Sequence, residues 1–317
     1  CLVGSEMCIR DSNYKGVINM NNFKKIGLSA LAGSLVAVSA HAAEFSVSGS
    51  ASITMDRPTV DKGVATGNDF SMGDSLGFNA SGETDGGLGV AVYYEIDNGA
   101  LDDYDMTLSG DWGSLKFNGS GSSSALGAID DVTPNAYEEA WDIVDYDGTL
   151  TVGAPTVITG GGGANMFIYT SPSFSGATIT AAYQNDGGAA AVADSYHDYA
   201  IAFSPEAFEG LTLGYGAGTV QTGINTERDA STMYVKYAVG GFTVGYQESE
   251  SDHDTVASSL DSSAYGVTYA VNDDFSIGYS YHKTEFNSGA TNNTDQESTG
   301  VSDSYTMGGM TLGGAMN

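Results

Sequence analysis

The sequence predicts an all-β fold, a transmembrane antiparallel β-barrel, and three observations carry that prediction. The first is period-two alternation. From Tyr265, the residues Tyr265, Val267, Tyr269 and Val271 alternate with Gly266, Thr268 and Ala270; after a turn at Asn272 to Asp274, Phe275, Ile277, Tyr279 and Tyr281 alternate with Ser276, Gly278, Ser280 and His282. Such alternation puts one set on each face of a strand, and the short turn makes the pair a hairpin. The second is the chemistry of the two faces. A soluble sheet usually turns Lys, Glu and Thr to water, whereas here the face opposite the greasy one is Gly, Ser, Ala and Thr, as suits lipid on one side and a lumen on the other. The third is the connections. Short turns at 85–87, 111–113, 171–176, 204–210, 240–241 and 272–274 alternate with polar, acidic stretches at 57–68, 120–164, 185–196, 220–230, 250–262 and 287–300. Short turns on one side and long loops on the other mark an outer-membrane barrel.

The start of the chain does not belong to this pattern. Residues 1–19, opening Cys1 to Ser12, lack any periodicity and read as a translated adaptor leader. Residues 20–42 read as a secretory signal: Lys24 and Lys25 form the charged end, Ile26 to Val38 the apolar run, and Ala40-His41-Ala42 the small-x-small cleavage site. The apolar run is too short to cross about 30 Å of hydrocarbon as a helix. The barrel is therefore expected over 43–317. Both cysteines, Cys1 and Cys8, lie in the leader, so neither a disulfide scaffold nor a thiolate site is expected in the mature chain.

Charge excludes one class of partner. Four of the ten basic and two of the forty acidic residues precede Ala43, which leaves six against 38 and a formal charge of −32. Nucleic acid binding needs cationic patches and is excluded; cations are favoured near the surface. No apolar run after the signal is long enough for a membrane helix, so a membrane-embedded form must be a barrel.

The strands follow in order. Phe45 to Met55 alternates, and Phe70, Met72, Leu76, Phe78 and Ala80 keep the phase, with Asp74 on the greasy side as a rim position or a bulge. Thr84 to Gly87 is a tight turn. Val90, Val92, Tyr94 and Ile96 face out on the third strand with Glu95 facing in; Tyr104, Met106 and Leu108 mark the fourth; Leu115 and Phe117 face out on a short fifth with Lys116 facing in. From Ser120 to Ala164 alternation stops. This longest irregular stretch holds Asp130, Asp131, Glu138, Glu139, Asp142, Asp145 and Asp147, and Pro134 to Trp141 suits one or two helical turns. A structureless loop this long in a compact domain is usually functional. Alternation resumes with Met166 and Ile168, then Ala177, Ile179, Ala181 and Tyr183, and three further hairpins. About fourteen strands are complete and a fifteenth begins.

Three runs identify a likeness: Ser48 to Ser52 (Ser-Gly-Ser-Ala-Ser), Phe78 to Leu88 (Phe-Asn-Ala-Ser-Gly-Glu-Thr-Asp-Gly-Gly-Leu) and Leu108 to Phe117 (Leu-Ser-Gly-Asp-Trp-Gly-Ser-Leu-Lys-Phe). They resemble the alphaproteobacterial, Rhodobacter-type Gram-negative general porins. The resemblance implies a sixteen-stranded, trimeric outer-membrane barrel that passes small hydrophilic solutes, with 120–164 as the constriction loop after strand 5. Family members end on an aromatic residue, usually Phe; this chain stops at Thr311 to Asn317, so it reads as a fragment lacking the closing strand. Relatives also often set inward arginines on the second strand, where Gly73 and Ser75 stand here. Arg57, Lys116, Arg228, Lys236 and Lys283 are the cations left near the lumen, and a cation-preferring pore with a weak transverse field is expected.

The expected site is accordingly a constriction of Asp130, Asp131, Glu138, Glu139, Asp142 and Asp145, facing a lumen wall with Glu95, Lys116 and Arg57. Glu248, Glu250, Asp252 and Asp254 lack calcium-loop spacing, so no metal or other cofactor is expected beyond loosely bound calcium on the acidic loops. His197, His253 and His282 are scattered, and no G-x-S-x-G element points to a hydrolase. Tyr183, Tyr246 and Tyr281 suit an aromatic girdle. Expected partners are outer-membrane lipid and lipopolysaccharide, two further copies of the chain, and small solutes and cations. The competing readings are a barrel selective for one substrate class, such as a sugar, and a surface-exposed adhesin.

Overall fold

The computed structural model describes residues 44–56, 69–139, 164–185, 195–223, 226–253, 258–288 and 294–316. Fifteen strands lie among them: β1 (Glu44–Asp56), β2 (Asp69–Glu83), β3 (Gly89–Asp97), β4 (Ala100–Gly110), β5 (Gly113–Ser120), β6 (Met166–Thr170) and β7 (Ala177–Gln184). There follow β8 (Tyr196–Phe203), β9 (Leu211–Gly223), β10 (Thr226–Val239), β11 (Phe242–His253), β12 (Ser258–Ala270), β13 (Phe275–Ser288), β14 (Thr294–Met307) and β15 (Met310–Met316). They form one antiparallel sheet in which each strand pairs with its sequence neighbours. That meander is the arrangement expected of tight turns alternating with longer connections. Among the described residues no helix is long and apolar enough to cross a membrane.

The predicted tight turns form where the residues allow. At 84–87 the Gly87 N–H donates to the Thr84 carbonyl at 2.9 Å with Gly87 at φ 78°, and the Leu88 N–H bonds the Thr84 hydroxyl. At 272–274 the Asn272 side chain accepts the N–H groups of Asp274 and Phe275, each at 2.9 Å.

The connections on the other side differ from the prediction in two ways. Alternation of short and long is not strict, because β3 and β4 are joined by Asn98 and Gly99 alone, with φ of 48° and 80°. An Asn-Gly pair with both residues left-handed is a favoured two-residue hairpin turn. The Asn98 N–H donates to the Asp74 carbonyl, and no register shift interrupts β1 against β2, so Asp74 is the rim position rather than a bulge. Secondly, most of the stretches 220–230, 250–262 and 287–300 are strand: β9 reaches Gly223 before β10 starts at Thr226, and β13 reaches Ser288 before β14 starts at Thr294. Beyond the lipid both faces of a strand are wet, so the ladder continues while the apolar alternation that reveals it stops.

The two faces are sharply unlike. On the outer face large apolar side chains stand exposed, among them Phe70, Tyr94, Met106, Tyr199, Tyr215, Val244, Tyr265, Ile277 and Leu312. Tyr183 and Tyr246 lie on that face, and Tyr281 stands opposite Tyr265 on it. Cross-strand rings pair there: Tyr265 with Tyr281 at 4.8 Å between centroids, Phe242 with Tyr269 at 4.5 Å. The inner face carries many Ser, Thr, Gly and Ala residues. One strand inverts its predicted sides: on β6 it is Phe167 and Tyr169 that are exposed, while Met166 and Ile168 are buried inward. They join Ala125, Ile129, Ala182 and Ala200 in a small internal core, packed by Val132 and Tyr234. Met166 and Ile168 are apolar because the loop covers them.

Candidate functional site

What covers the inner face is the stretch 121–139, which leaves β5 and crosses the sheet from β8 to β15. Its course begins with a forced turn. Asn118, fully buried, accepts the Ser122 N–H and donates to the Ser122 carbonyl. Gly121 has φ 87° and takes the place where the Asp103 carboxylate leaves no room for a Cβ. One turn of helix-like backbone follows at 124–129, where the Ser124 hydroxyl accepts the Gly127 N–H and the Ser124 carbonyl accepts the Ala128 N–H. The helical turn expected at 134–141 is absent over 134–139, where the backbone carries no helix; Ala140 and Trp141 lie outside the described residues. The chain there bends at 136–138 against the wall, and the Ala136 N–H is taken by the Ser302 hydroxyl at 3.1 Å.

Two buried side chains clamp the segment. Asp198 on β8 accepts the Ala125 N–H at 3.2 Å, the Leu126 N–H at 2.6 Å and the Tyr196 hydroxyl at 2.8 Å. A carboxylate receiving several N–H and O–H donors is well matched in charge even when it is buried. Gln247 on β11 accepts the Val132 N–H at 3.0 Å and donates to the carbonyls of Ile129 and Asp130 at 2.9 and 2.7 Å. One amide thus satisfies three backbone groups on both sides of a bend.

The predicted acids divide. Asp130, Asp131, Glu138 and Glu139 lie on this segment, with Asp131 exposed, the other three half-buried, and the Asn135 amide donating to Glu139. Asp142 and Asp145 lie outside the described residues, as do Asp147, Asp254, Arg57, the leader and the signal. Glu95 faces inward on β3 and accepts the Tyr93 hydroxyl at 2.6 Å. Lys116 faces inward on β5, ion-paired to Asp105 at 3.1 Å. Of the other expected cations, Arg228 and Lys236 share the inward parity of buried Thr232 on β10. Lys283 does not: it shares the outward parity of Tyr281 and pairs with Glu285 and Asp295. Glu248, Glu250 and Asp252 also stand on the outward side, on β11, with Glu250 opposite Asp261. Buried His282 hydrogen-bonds the Ser262 hydroxyl at 2.8 Å.

Sequence reasoning missed four inner acids. Asp97, Asp103 and Asp105 line β3 and β4 beside Glu95, and Asp198 is the clamp. The signal was available on β4, where Asp103 and Asp105 alternate with outward Tyr104 and Met106. Nothing in the sequence distinguishes Asp198 from other loop-flanking acids, because its role depends on a segment about seventy residues earlier.

The inner face therefore carries carboxylates on two stretches, the wall of β3 and β4 and the segment docked on β8 to β15. Carboxylates gathered in this way concentrate cations. Solved structures share the architecture. A porin refined at 1.8 Å resolution is 17% identical, with 86% of this chain and 93% of that chain covered and a TM-score of 0.60. An anion-selective porin from Comamonas acidovorans is 15% identical over 86% and 88%, with a TM-score of 0.59. The trimer form of OmpT from Vibrio cholerae is 13% identical over 86% and 89%, with a TM-score of 0.59. No curated protein matches the chain at a significant level. At these identities the structural likeness speaks for the fold. A model of the Gram-negative porin family matches residues 27–316, nearly the whole chain. The chain belongs to the Gram-negative porin family, whose members are outer-membrane β-barrel transport proteins without enzymatic activity.

Proposed function

We propose that this porin is a general diffusion channel that prefers cations and filters small hydrophilic solutes by size and charge at the folded-in segment. The observation that supports this reading most is the gathering of carboxylates on two stretches of the inner face. Asp130, Asp131, Glu138 and Glu139 lie on the segment, and Glu95, Asp97, Asp103 and Asp105 on the wall, while Lys116 is already spent on Asp105. Carboxylate rings favour cation entry and repel anions. The reading includes antiparallel closure into a sixteen-stranded barrel of alphaproteobacterial type. β1 and β15 run the same way, so closing the ladder takes one further strand between them. It also includes a homotrimer in contact with lipopolysaccharide, export by the cleaved signal of 20–42, and no cofactor, with calcium only loosely held at the acidic outer loops.

The test is a planar bilayer under a KCl gradient. Stepwise conductance arriving in threes, with a reversal potential of the sign favouring K⁺, is the expected result. Replacing Glu138, Glu139 and Asp142 by the neutral amides should then move that potential toward zero. An unmoved potential would show that these acids do not filter; a reversal potential favouring chloride would sink the cation preference outright.

A further inference from the structure

The docked segment meets the wall at glycines. Leu126 and Ile129 lie over Gly216 of β9, where a Cβ would approach each side chain to 3.0 Å. Pro134 lies over both Gly245 of β11 and Gly266 of β12, which stand directly opposite each other in the ladder. A Cβ on Gly245 would overlap the proline ring, and one on Gly266 would overlap the Pro134 carbonyl oxygen. Ala136 lies over Gly278 of β13, where a Cβ would stand 2.9 Å from the Ala136 nitrogen and 3.3 Å from its Cβ. None of Gly216, Gly245, Gly266 and Gly278 has a positive φ, so turn geometry does not require them. Glycine within a strand weakens it unless another backbone approaches closely, and here one does. By contrast, Gly73 on the inner face of β2 has only the Ser52 hydroxyl near its absent Cβ.

We infer that Gly245, Gly266 and Gly278 are positioning residues of the pore: they form a seat whose depth sets how far Pro134 to Ala136, and the carboxylates flanking them, project into the lumen. The inference rests on the channel reading and adds to it what fixes the aperture. Asp198 and Gln247 hold the segment along its length; the glycines set its height above the wall. A methyl group on Gly266 meets backbone atoms rather than a movable side chain, so the segment itself must rise toward the lumen.

Two measurements test this. In a background lacking Cys1 and Cys8, the pair Ala136→Cys and Gly278→Cys should form a disulfide on oxidation, since their Cβ separation of 3.3 Å lies near the usual value of about 3.8 Å. Both redox forms carry a Cβ at position 278, 2.9 Å from the Ala136 nitrogen, so single-channel conductance should lie below the parent's and should be the same before and after reduction. Failure to cross-link, or a conductance that changes on reduction, would overturn the seat. Separately, Gly266→Ala and then Gly266→Val should lower conductance progressively, while Gly73→Ala leaves it unchanged. Conductance equal to the parent's, or above it, in Gly266→Val would overturn the claim that seat depth sets the aperture. If the double-cysteine variant cross-links while the parent chain passes no current, the channel reading falls, and the aperture with it, while the docking stands.

Discussion

Along β1 and β2 the inward side chains include Ser46, Ser48, Ser50 and Ser52, then Ser71, Gly73 and Ser75; β1, first in the strand order with β2 alone beside it, is exposed from Glu44 to Met55, while Gly73 and Ser75 on β2 are half-buried. Along β8 to β14 the inward side chains are just as small and polar, yet Ala200, Thr232, Gln247, Ser249, Ser262 and Ser302 are buried. Composition does not separate the two walls; the segment 121–139 does. On the bare wall a small residue leaves room for water and solute. On the covered wall it leaves room for another piece of the chain, and each polar group there must find a partner within the protein. A hydroxyl or carboxylate of one wall is solvation, whereas its counterpart on the other is structure.

The comparison breaks most readily at Asp198. Asp198→Ala removes the acceptor of the Ala125 and Leu126 N–H groups, both in residues only 1% exposed. An orphaned buried donor costs about 1–3 kcal/mol, so the docked state should lose more here than at any single position of the bare wall. The expected readout is flickering current from a segment that intermittently leaves its seat, together with a lower thermal midpoint. Quiet channels with parental stability would show that Asp198 does not hold the segment, and the distinction between the walls would weaken.

The two walls were unequally legible in the sequence. The outer face announced itself because lipid demands apolar side chains at alternate positions in the membrane-facing part of each strand. The strand order and the short turns followed, but the Asn98-Gly99 link and the extent of the 220–230 connection were misjudged. Strand ends above the lipid were lost, since water on both faces removes the alternation. The covered wall was nearly illegible. Met166 and Ile168 looked like lipid-facing residues because an internal apolar face obeys the same period-two rule, and Asp198 and Gln247 act on residues 72 and 115 positions away. Gly245 and Gly266 passed for lumen-lining small residues, since a missing side chain does not reveal what fills its place.

A matched pair of substitutions sharpens the contrast at intermediate size. Ala200→Leu adds bulk to the closed core with Ala125 and Ile129, and overpacking of this kind costs about 1–3 kcal/mol. Ser48→Leu adds bulk to an exposed inward position on β1, where surface changes usually stay within about 0.5 kcal/mol. Denaturant unfolding of the two variants in the same detergent should therefore separate them, with Ala200→Leu the less stable. Equal midpoints would mean that the internal core yields as easily as open water.

The smallest expected effect concerns charge on the bare side. Lys116 is about one-third exposed and pairs with Asp105 at 3.1 Å, so the stability at stake is that of a partly solvated ion pair, about 0–1 kcal/mol. Its electrical consequence is clearer in sign. Lys116→Gln removes a positive charge from the wall and leaves Asp105 beside Glu95 and Asp103, so the reversal potential under a KCl gradient should move further toward that of K⁺. Adding Asp105→Asn restores the net charge of the pair and should bring the potential back to near the parental value. A shift in the double variant as large as in the single one would mean that the wall of β3 and β4 does not sense the passing ion, which would leave the filter to the docked segment alone.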